Sequence, residues 1–221
     1  WLENYGHWGY PSEFLYYGSF SDYVGGEFWA NSGPSPECKL ASSSCHIYGK
    51  NKVYAESYTA GGKYFERTPR DLKQKGDWSY TQGINQVVMH VYIHQPYEDK
   101  TPGINAWFGI EYNRKNTWFE QSKSWIDYQR RCSFMLQQGL PVNDVCIFIG
   151  EDAPSMDGWK DKSMSSGYSF DFINSDVILN RLTVNDGKLC LPEGVEYSVM
   201  LLPPLSTMRP EVLRKNRRIN K

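Results

Sequence analysis

Apolar residues recur along the chain in short runs, separated by segments that carry helix-start and helix-stop signals. Val53 to Ala55 has strand length and β-favouring residues, and Gly61-Gly62 closes the segment behind it. Upstream, Ser35-Pro36-Glu37 supplies a capping hydroxyl, a proline for the first helical position and an acid for the first turn. The helix it opens runs through Leu40, Ala41 and Ile47 to a stop at Gly49. Glu56 therefore falls at the carboxyl end of a strand that follows a helix. Thr68-Pro69 to Gly76 repeats the same grammar, with Gly76 as the stop. Gln86 to Tyr92 is apolar on both faces, as a parallel strand covered on both sides would be. A helix over 117–138 carries the stripe Trp118, Trp125, Tyr128, Cys132 and Met135 and ends at Gly139. Val145 to Ile149 is a fully apolar strand that delivers Gly150-Glu151-Asp152. Helix and strand alternate, which predicts βα units around a parallel sheet, an α/β fold.

The two ends of the chain read differently. Residues 1–34 are rich in Gly and aromatics and predict a strand end at Leu2-Glu3, a long loop, and a short strand ending at Glu27. In the tail, Asn185-Asp186-Gly187 between Leu182, Val184, Leu189 and Leu191 is a hairpin signal. Tyr197 to Leu202 predicts a strand and Met208 to Asn220 a helix. Arg214, Lys215, Arg217 and Arg218 crowd the last turns of that helix, where cations complement the dipole. The chain accordingly divides into 1–182 and 183–221, the second part being a hairpin and the start of a following α/β or β-rich domain.

At 221 residues the chain can bury a sizeable core. A net charge of −1 and a pI near 6.5 give no electrostatic case for nucleic acid or an anionic membrane. No apolar run is long enough to span a bilayer. Trp1 stands where a Met would start a chain, and no signal-peptide pattern follows, so the sequence reads as a piece cut from a longer polypeptide. The five cysteines lie far apart with no CxxC pair, which argues against structural zinc and leaves the compartment open. Aromatics are the outlier at 15%, with 8 Trp and 16 Tyr, many beside Gly, Asn and acids. Flat rings with polar edges suit a sugar face, and equally a large core.

Four glutamates, Glu3, Glu27, Glu56 and Glu151, lie at or near predicted strand ends. The carboxyl rim of an α/β sheet is where side chains from different strands meet a ligand. Cleaving a glycosidic bond takes two carboxyl groups, one to protonate the leaving oxygen and one to handle the attacking species. The alternative for such a residue, Glu56 included, is a rim carboxylate paired with a neighbouring Lys or Arg.

A series of blocks carries the resemblance to a known family: Leu2-Glu-Asn-Tyr-Gly6, Gly26-Glu-Phe-Trp29, Ala55-Glu-Ser-Tyr-Thr59, Gln82-Gly-Ile-Asn85, His94-Gln-Pro96, Asn113-Arg-Lys-Asn-Thr-Trp118, Leu136-Gln-Gln-Gly139 and Gly150-Glu-Asp-Ala-Pro154. Leu201-Leu-Pro203 and Met208-Arg-Pro-Glu211 extend it into the tail. In this order they resemble the catalytic region of glycoside hydrolase family 106, the α-L-rhamnosidases. The resemblance implies a (β/α)8 barrel, calcium dependence, and removal of terminal α-L-rhamnose with inversion. It places the chain at barrel strands four to eight, with Glu27 ending strand five, Glu56 strand six and Glu151 strand eight. Glu111 departs from the family pattern, where a non-acidic residue, commonly His, is expected.

On that comparison Glu151 is the expected base, Glu27 the acid and Glu56 the close substitute, or a group that positions a hydroxyl or calcium. Glu3, Asn4 and Glu120 are the candidate calcium ligands. His94, Asn113, Arg114 and His7 are candidate sugar contacts, with Trp118 and Trp8 as stacking platforms. Trp125 and His90 read as core. The expected partner is a rhamnose-containing glycan or glycoside, met outside the cytoplasm, in a secreted or periplasmic parent. Competing readings are a barrel glycosidase for another sugar, a non-catalytic carbohydrate-binding relative, and a fragment with no activity. A partial barrel should also leave open edges at Leu2-Glu3 and at Val145–Ile149, with the faces of Val87, Val88, Ile147 and Phe148 bare.

Overall fold

The structure, a computed structural model, describes residues 12–104, 108, 109, 111–151 and 167–219. Three strands, β1 (Val24–Trp29), β2 (Val53–Thr59) and β3 (Gln86–Met89), form a parallel sheet in the order β1-β2-β3. The connections are α2 (Pro36–Ile47) and α3 (Pro69–Thr81), each with proline in its first turn. A second parallel sheet places β4 (Val145–Phe148) between β5 (Phe170–Ile173) and β9 (Val199–Leu201). Two helices frame these strands, α1 (Phe14–Ser19) before β1 and α4 (Lys123–Leu136) between β3 and β4. Among the described residues neither sheet closes on itself.

Helix α2 lies between the two sheets, and its composition explains how. Ala41, Ser42, Ser43, Ser44 and Cys45 are all buried, so the helix packs β1 on one face and β5 on another with small side chains throughout. Buried hydroxyls must find partners, and each serine does. Ser42 donates to the Gln82 carbonyl at 2.6 Å and Ser44 to the Leu15 carbonyl at 3.0 Å. Ser43 accepts the Phe172 amide of β5 at 2.9 Å. At the start of the helix, Ser35 Oγ accepts the Glu37 amide at 3.3 Å. Gly26 of β1 lets that first turn come close, since a Cβ there would lie 2.8 Å from the Glu37 carbonyl carbon.

The junction of α2 with the second sheet is polar. Asp171 of β5 is fully buried and is held by His46 Nδ1 at 2.9 Å, Asn143 Nδ2 at 2.6 Å and the Tyr197 hydroxyl at 3.0 Å, with Lys39 Nζ at 3.7 Å. Burial alone would raise this carboxyl. The charges of His46 and Lys39, with hydrogen bonds from His46 and Asn143, outweigh it and hold the group below the usual carboxylate range.

Several expectations need correction. Val145–Ile149 is no open edge: β4 is the centre of its sheet, and Ile147 and Phe148 are fully buried. The neighbour on one side, Phe170–Ile173, escapes a hydrophobicity reading because Asp171 interrupts its apolar run. The expected strand 197–202 is two strands. β8 (Glu196–Tyr197) pairs with the hairpin of β6 (Thr183–Asn185) and β7 (Lys188–Cys190), and β9 crosses to β4, the Ser198 amide bonding the Asp144 carbonyl at 2.8 Å. The hairpin itself is as its turn residues require, with Asp186 and Gly187 both at positive φ, 48° and 77°. The tail is completed by α5 (Ser175–Asn180) and α6 (Pro210–Ile219), which pack together.

Gly76 does not stop α3. The helix runs on to Thr81, and Gly76 sits where a Cβ would come within 2.2 Å of the Tyr58 hydroxyl, so the glycine serves helix–strand packing. Helix α4 begins at Lys123, after consecutive i→i+3 turns from Asn116 to Ser122, and of the expected stripe Trp125 is buried while Met135 is 66% exposed. β3 is only half-buried, not covered on both sides, and Val87 and Val88 share that partial cover. All five cysteines are free, and the three buried ones, Cys38, Cys45 and Cys146, fill the core without crosslinks.

Candidate functional site

Pairing fixes the relation of two candidate acids. Glu27 of β1 lies in register with Glu56 of β2, on adjacent parallel strands, so both side chains leave the sheet on one face. Neither ends its strand: β1 continues to Trp29 and β2 to Thr59. Just beyond the pair the register slips, Phe28 facing Ser57 and Trp29 facing Thr59. Tyr58 is the extra residue, with φ of 67°, a strained value for a side-chain-bearing residue. The slip turns the Tyr58 ring into the core against Phe28 and Trp125, ring centroids 5.0 and 5.9 Å away.

The two acids sit in unlike surroundings. Glu27 is buried, whereas the Glu56 side chain keeps about a fifth of its surface, 19%. Glu56 Oε1 accepts the Thr59 hydroxyl at 3.1 Å and faces His90 Nε2 at 3.6 Å. A third acid, Glu37 in the first turn of α2, lies close by. Burial pushes its carboxyl up to about 7, and the charges of Glu27 and, more weakly, Glu56 push the same way against hydrogen bonds with Ser35 and the Glu27 backbone. A carboxyl raised toward neutrality thus stands beside two further carboxyl groups, an arrangement found at acid–base sites.

Aromatic rings wall this site. His90 stacks on Phe108 with centroids 5.2 Å apart and planes 7° from parallel, and Phe108 stacks on Trp29 at 6.2 Å and 27°. These rings and Glu37 escaped the sequence reading. His90 hides inside an apolar run, and an acid in a first helical turn reads as a dipole partner. The one signal for the wall is the polar company that Trp29 keeps beside Gly26-Glu27.

The other candidates are dispersed. Glu151 binds Arg209, accepting its amide at 2.8 Å and pairing with its guanidinium, and accepts Ser175 Oγ at 3.1 Å. Burial raises the Glu151 carboxyl, but the Arg209 and Ser175 contacts outweigh it and leave the group below its ordinary value. It lines a cleft of about 500 Å³ with Glu13, Tyr16, Asn174 and Asp176, apart from the contacts of Glu27 and Glu56. His94 and Arg114 border a shallow cleft of about 360 Å³, where Arg114 is engaged by Gln95 at 3.1 Å and Glu98 at 3.0 Å. Asn113 is fully buried, donating to the Pro102 carbonyl at 3.0 Å and accepting the Lys115 amide at 2.9 Å. Trp118 is half-buried, its indole N–H on the Arg67 carbonyl at 2.9 Å. Arg67 also explains the departure at Glu111, a buried acid that accepts its guanidinium at 2.7 Å and its amide at 3.2 Å. Glu3, Asn4, His7 and Trp8 lie outside the described residues.

Calcium takes several hard oxygens at one point. Among the described residues no three His, Cys, Asp or Glu side chains converge to hold a metal, and Glu120 stands exposed at the surface.

In-register carboxyl groups on one face of a parallel sheet, beside an acid raised toward neutrality and a wall of stacked rings, make up the candidate site. The chain belongs to glycoside hydrolase family 106: the family model described as alpha-L-rhamnosidase matches residues 1–221. It is 39% identical over 213 residues to a protein of Formosa agariphila named "Putative beta-glucuronidase", a match covering 95% of this chain and 18% of that protein. The solved structure of a rhamnosidase from Novosphingobium sp. PP1Y superposes with a TM-score of 0.84 at 32% identity, covering 94% of this chain and 21% of that one. The chain thus spans about a fifth of the length of these relatives. No helix among the described residues is long and apolar enough to cross a membrane.

Proposed function

We propose that this chain is a portion of a longer enzyme that hydrolyses terminal α-L-rhamnose by a two-carboxylate, inverting route, with Glu27 and Glu56 as the acting pair. The observation that carries the reading is their register on adjacent strands beside the Trp29–Phe108–His90 wall. Inversion needs the two carboxyl groups roughly 6.5–9.5 Å apart, with room for a water. Neighbouring strands start only about 4.8 Å apart, so the side chains must splay. The contacts favour this. Glu56 leans toward Thr59 and His90, on the β3 side, while Glu27 lies by the first turn of α2 on the other. Glu27, buried beside Glu37, suits the acid role, and the more exposed Glu56 suits activation of water.

Glu151 as base is the competing assignment. Its carboxylate is ionised, as a base must be, yet its oxygens are occupied by Arg209 and Ser175. The remainder of the polypeptide would complete the barrel and supply any calcium ligands. Chelation that abolishes activity, with recovery on calcium but not magnesium, is the expected outcome for the complete protein.

A second reading, a different sugar specificity, is favoured by the likeness to the Formosa agariphila protein. One experiment decides between them. The complete protein is assayed on aryl α-L-rhamnoside and aryl β-D-glucuronide, with proton NMR of the sugar as first released. Turnover of the rhamnoside with inversion supports the first reading, and turnover of the glucuronide alone overturns it.

A further inference from the structure

The first sheet is left open at β3, and we propose that this edge receives a further parallel strand, with its helix, from the part of the longer polypeptide outside residues 1–221. Among the described residues β3 pairs with β2 alone. All four of its residues are half-buried, whereas β1 and β2 are buried along nearly their whole length. Parallel sheets are covered on both faces, and a sheet edge is a row of backbone donors and acceptors that templates another strand. The inference rests on the reading that the chain is part of a longer polypeptide, and not on which glycoside that polypeptide cleaves.

The connections show which strand belongs there. Helix α2 carries the chain from β1 to β2 and α3 from β2 to β3, each crossing to the next strand of the same sheet. Helix α4 follows β3 and packs against it, so the same pattern calls for a fourth parallel strand beside β3. The chain does not supply it after α4, because β4 joins β5 and β9 in the second sheet. Between β3 and α4 lies a cleft of about 840 Å³, lined by Val87 and Met89 on the strand and by Ile126, Gln129, Phe134 and Met135 on the helix. Phe134 is 65% exposed, beside the equally exposed Met135. The strand side of this cleft suits an extended backbone with apolar residues at alternate positions, and the bare end of α4 suits the apolar stripe of a second helix. The chain spans about a fifth of its relatives, so most of such a polypeptide is available to provide both. A second copy of the chain fits less well. A two-fold axis would bring two β3 edges together antiparallel, against the parallel run of this sheet.

The test is hydrogen exchange on the complete protein, read amide by amide through β3 by fragmentation mass spectrometry. Successive amides of a strand point to opposite sides, so one set meets β2 and the other faces the open edge. With a strand seated on that edge, both sets should exchange more slowly than in the unfolded chain by roughly 10³-fold or more, as in an interior strand. Hydroxyl-radical labelling of the same protein should reach Phe134 and Met135 in denaturant and spare them in the native state. One unprotected set of β3 amides, or native labelling of Phe134 at the unfolded rate, overturns the proposal. Protection that disappears on dilution, as a dimer dissociates in sedimentation, also overturns it and assigns the edge to a second copy. None of these readings uses turnover, so a protein that cleaves no rhamnoside defeats the functional reading and leaves this one to stand or fall by itself.

Discussion

The two parallel sheets treat their acids in opposite ways. In the β4 sheet, Asp171 is surrounded by donors and Glu151 by Arg209 and Ser175, and both are held below their ordinary titration range. In the β1–β3 sheet, Glu27, Glu37 and Glu56 crowd one another, and Glu37 is pushed up to about 7. An acid whose oxygens are all satisfied contributes to the fold. Acids gathered at a cost in repulsion and burial mark the neighbourhood of the β1–β3 sheet as the candidate site. The contrast separates structure from function more sharply than position at a strand end, which Glu27, Glu56 and Glu151 nearly share.

The largest expected effect is on turnover. Glu27→Gln and Glu56→Gln in the complete protein should each lower kcat by about 10²–10⁴-fold with little change in melting temperature. Asp171→Asn should do the reverse. It removes a fully buried charge that faces Lys39 and the half-buried His46, so a loss of about 3–5 kcal/mol in stability is expected. Urea unfolding of each variant beside its kcat checks both. If Asp171→Asn melts normally, or Glu56→Gln unfolds, the contrast fails.

The same contrast has a pH signature. Glu37, raised in the folded state from 4.5 to about 7, contributes stability below its unfolded value that is lost as pH rises through 7. Asp171, depressed in the folded state, contributes stability above the unfolded carboxylate value that is lost as acid protonates it. Glu37→Gln should therefore flatten the decline between about pH 4.5 and 7, by an amount on the order of 1–3 kcal/mol. Melting curves across that range check it, and an unchanged slope would remove Glu37 from the site.

Local signals in the sequence located much of this. Ser35-Pro36 opens α2 and Asn185-Asp186-Gly187 turns the hairpin, because caps and turns are written in residues a few positions apart. Distant pairings were not accessible. Nothing local shows that β9 returns to β4, that α2 lies between two sheets, or that Gly76 meets Tyr58 rather than ending a helix. The same limit applies to the site. Glutamates near strand ends are visible one by one, but their register is not, nor is the stacking of His90 on Phe108 across a loop. Gly76→Ala tests the packing reading, with an expected loss of about 1–3 kcal/mol from the clash with the Tyr58 hydroxyl. In a helix interior without that contact, the same change would instead stabilise by about 1 kcal/mol.

The smallest effect expected is at Arg209, and it bears most directly on Glu151. The Arg209 side chain is 53% exposed, so its ion pair is screened by solvent, and Arg209→Gln should cost no more than about 1 kcal/mol. If Glu151 is a fold-supporting acid, freeing it changes nothing else, and kcat and its pH profile should match the wild type. If Glu151 is the catalytic base, loss of the neighbouring cation must raise its proton affinity, because the Arg209 guanidinium joins the Arg209 amide and Ser175 in holding that carboxyl down. The acid limb of the pH–rate profile would then move to higher pH. Measuring that limb in Arg209→Gln decides between Glu56 and Glu151 without deleting either carboxylate: an unmoved limb keeps Glu56 as the base, and a shifted one transfers the role to Glu151.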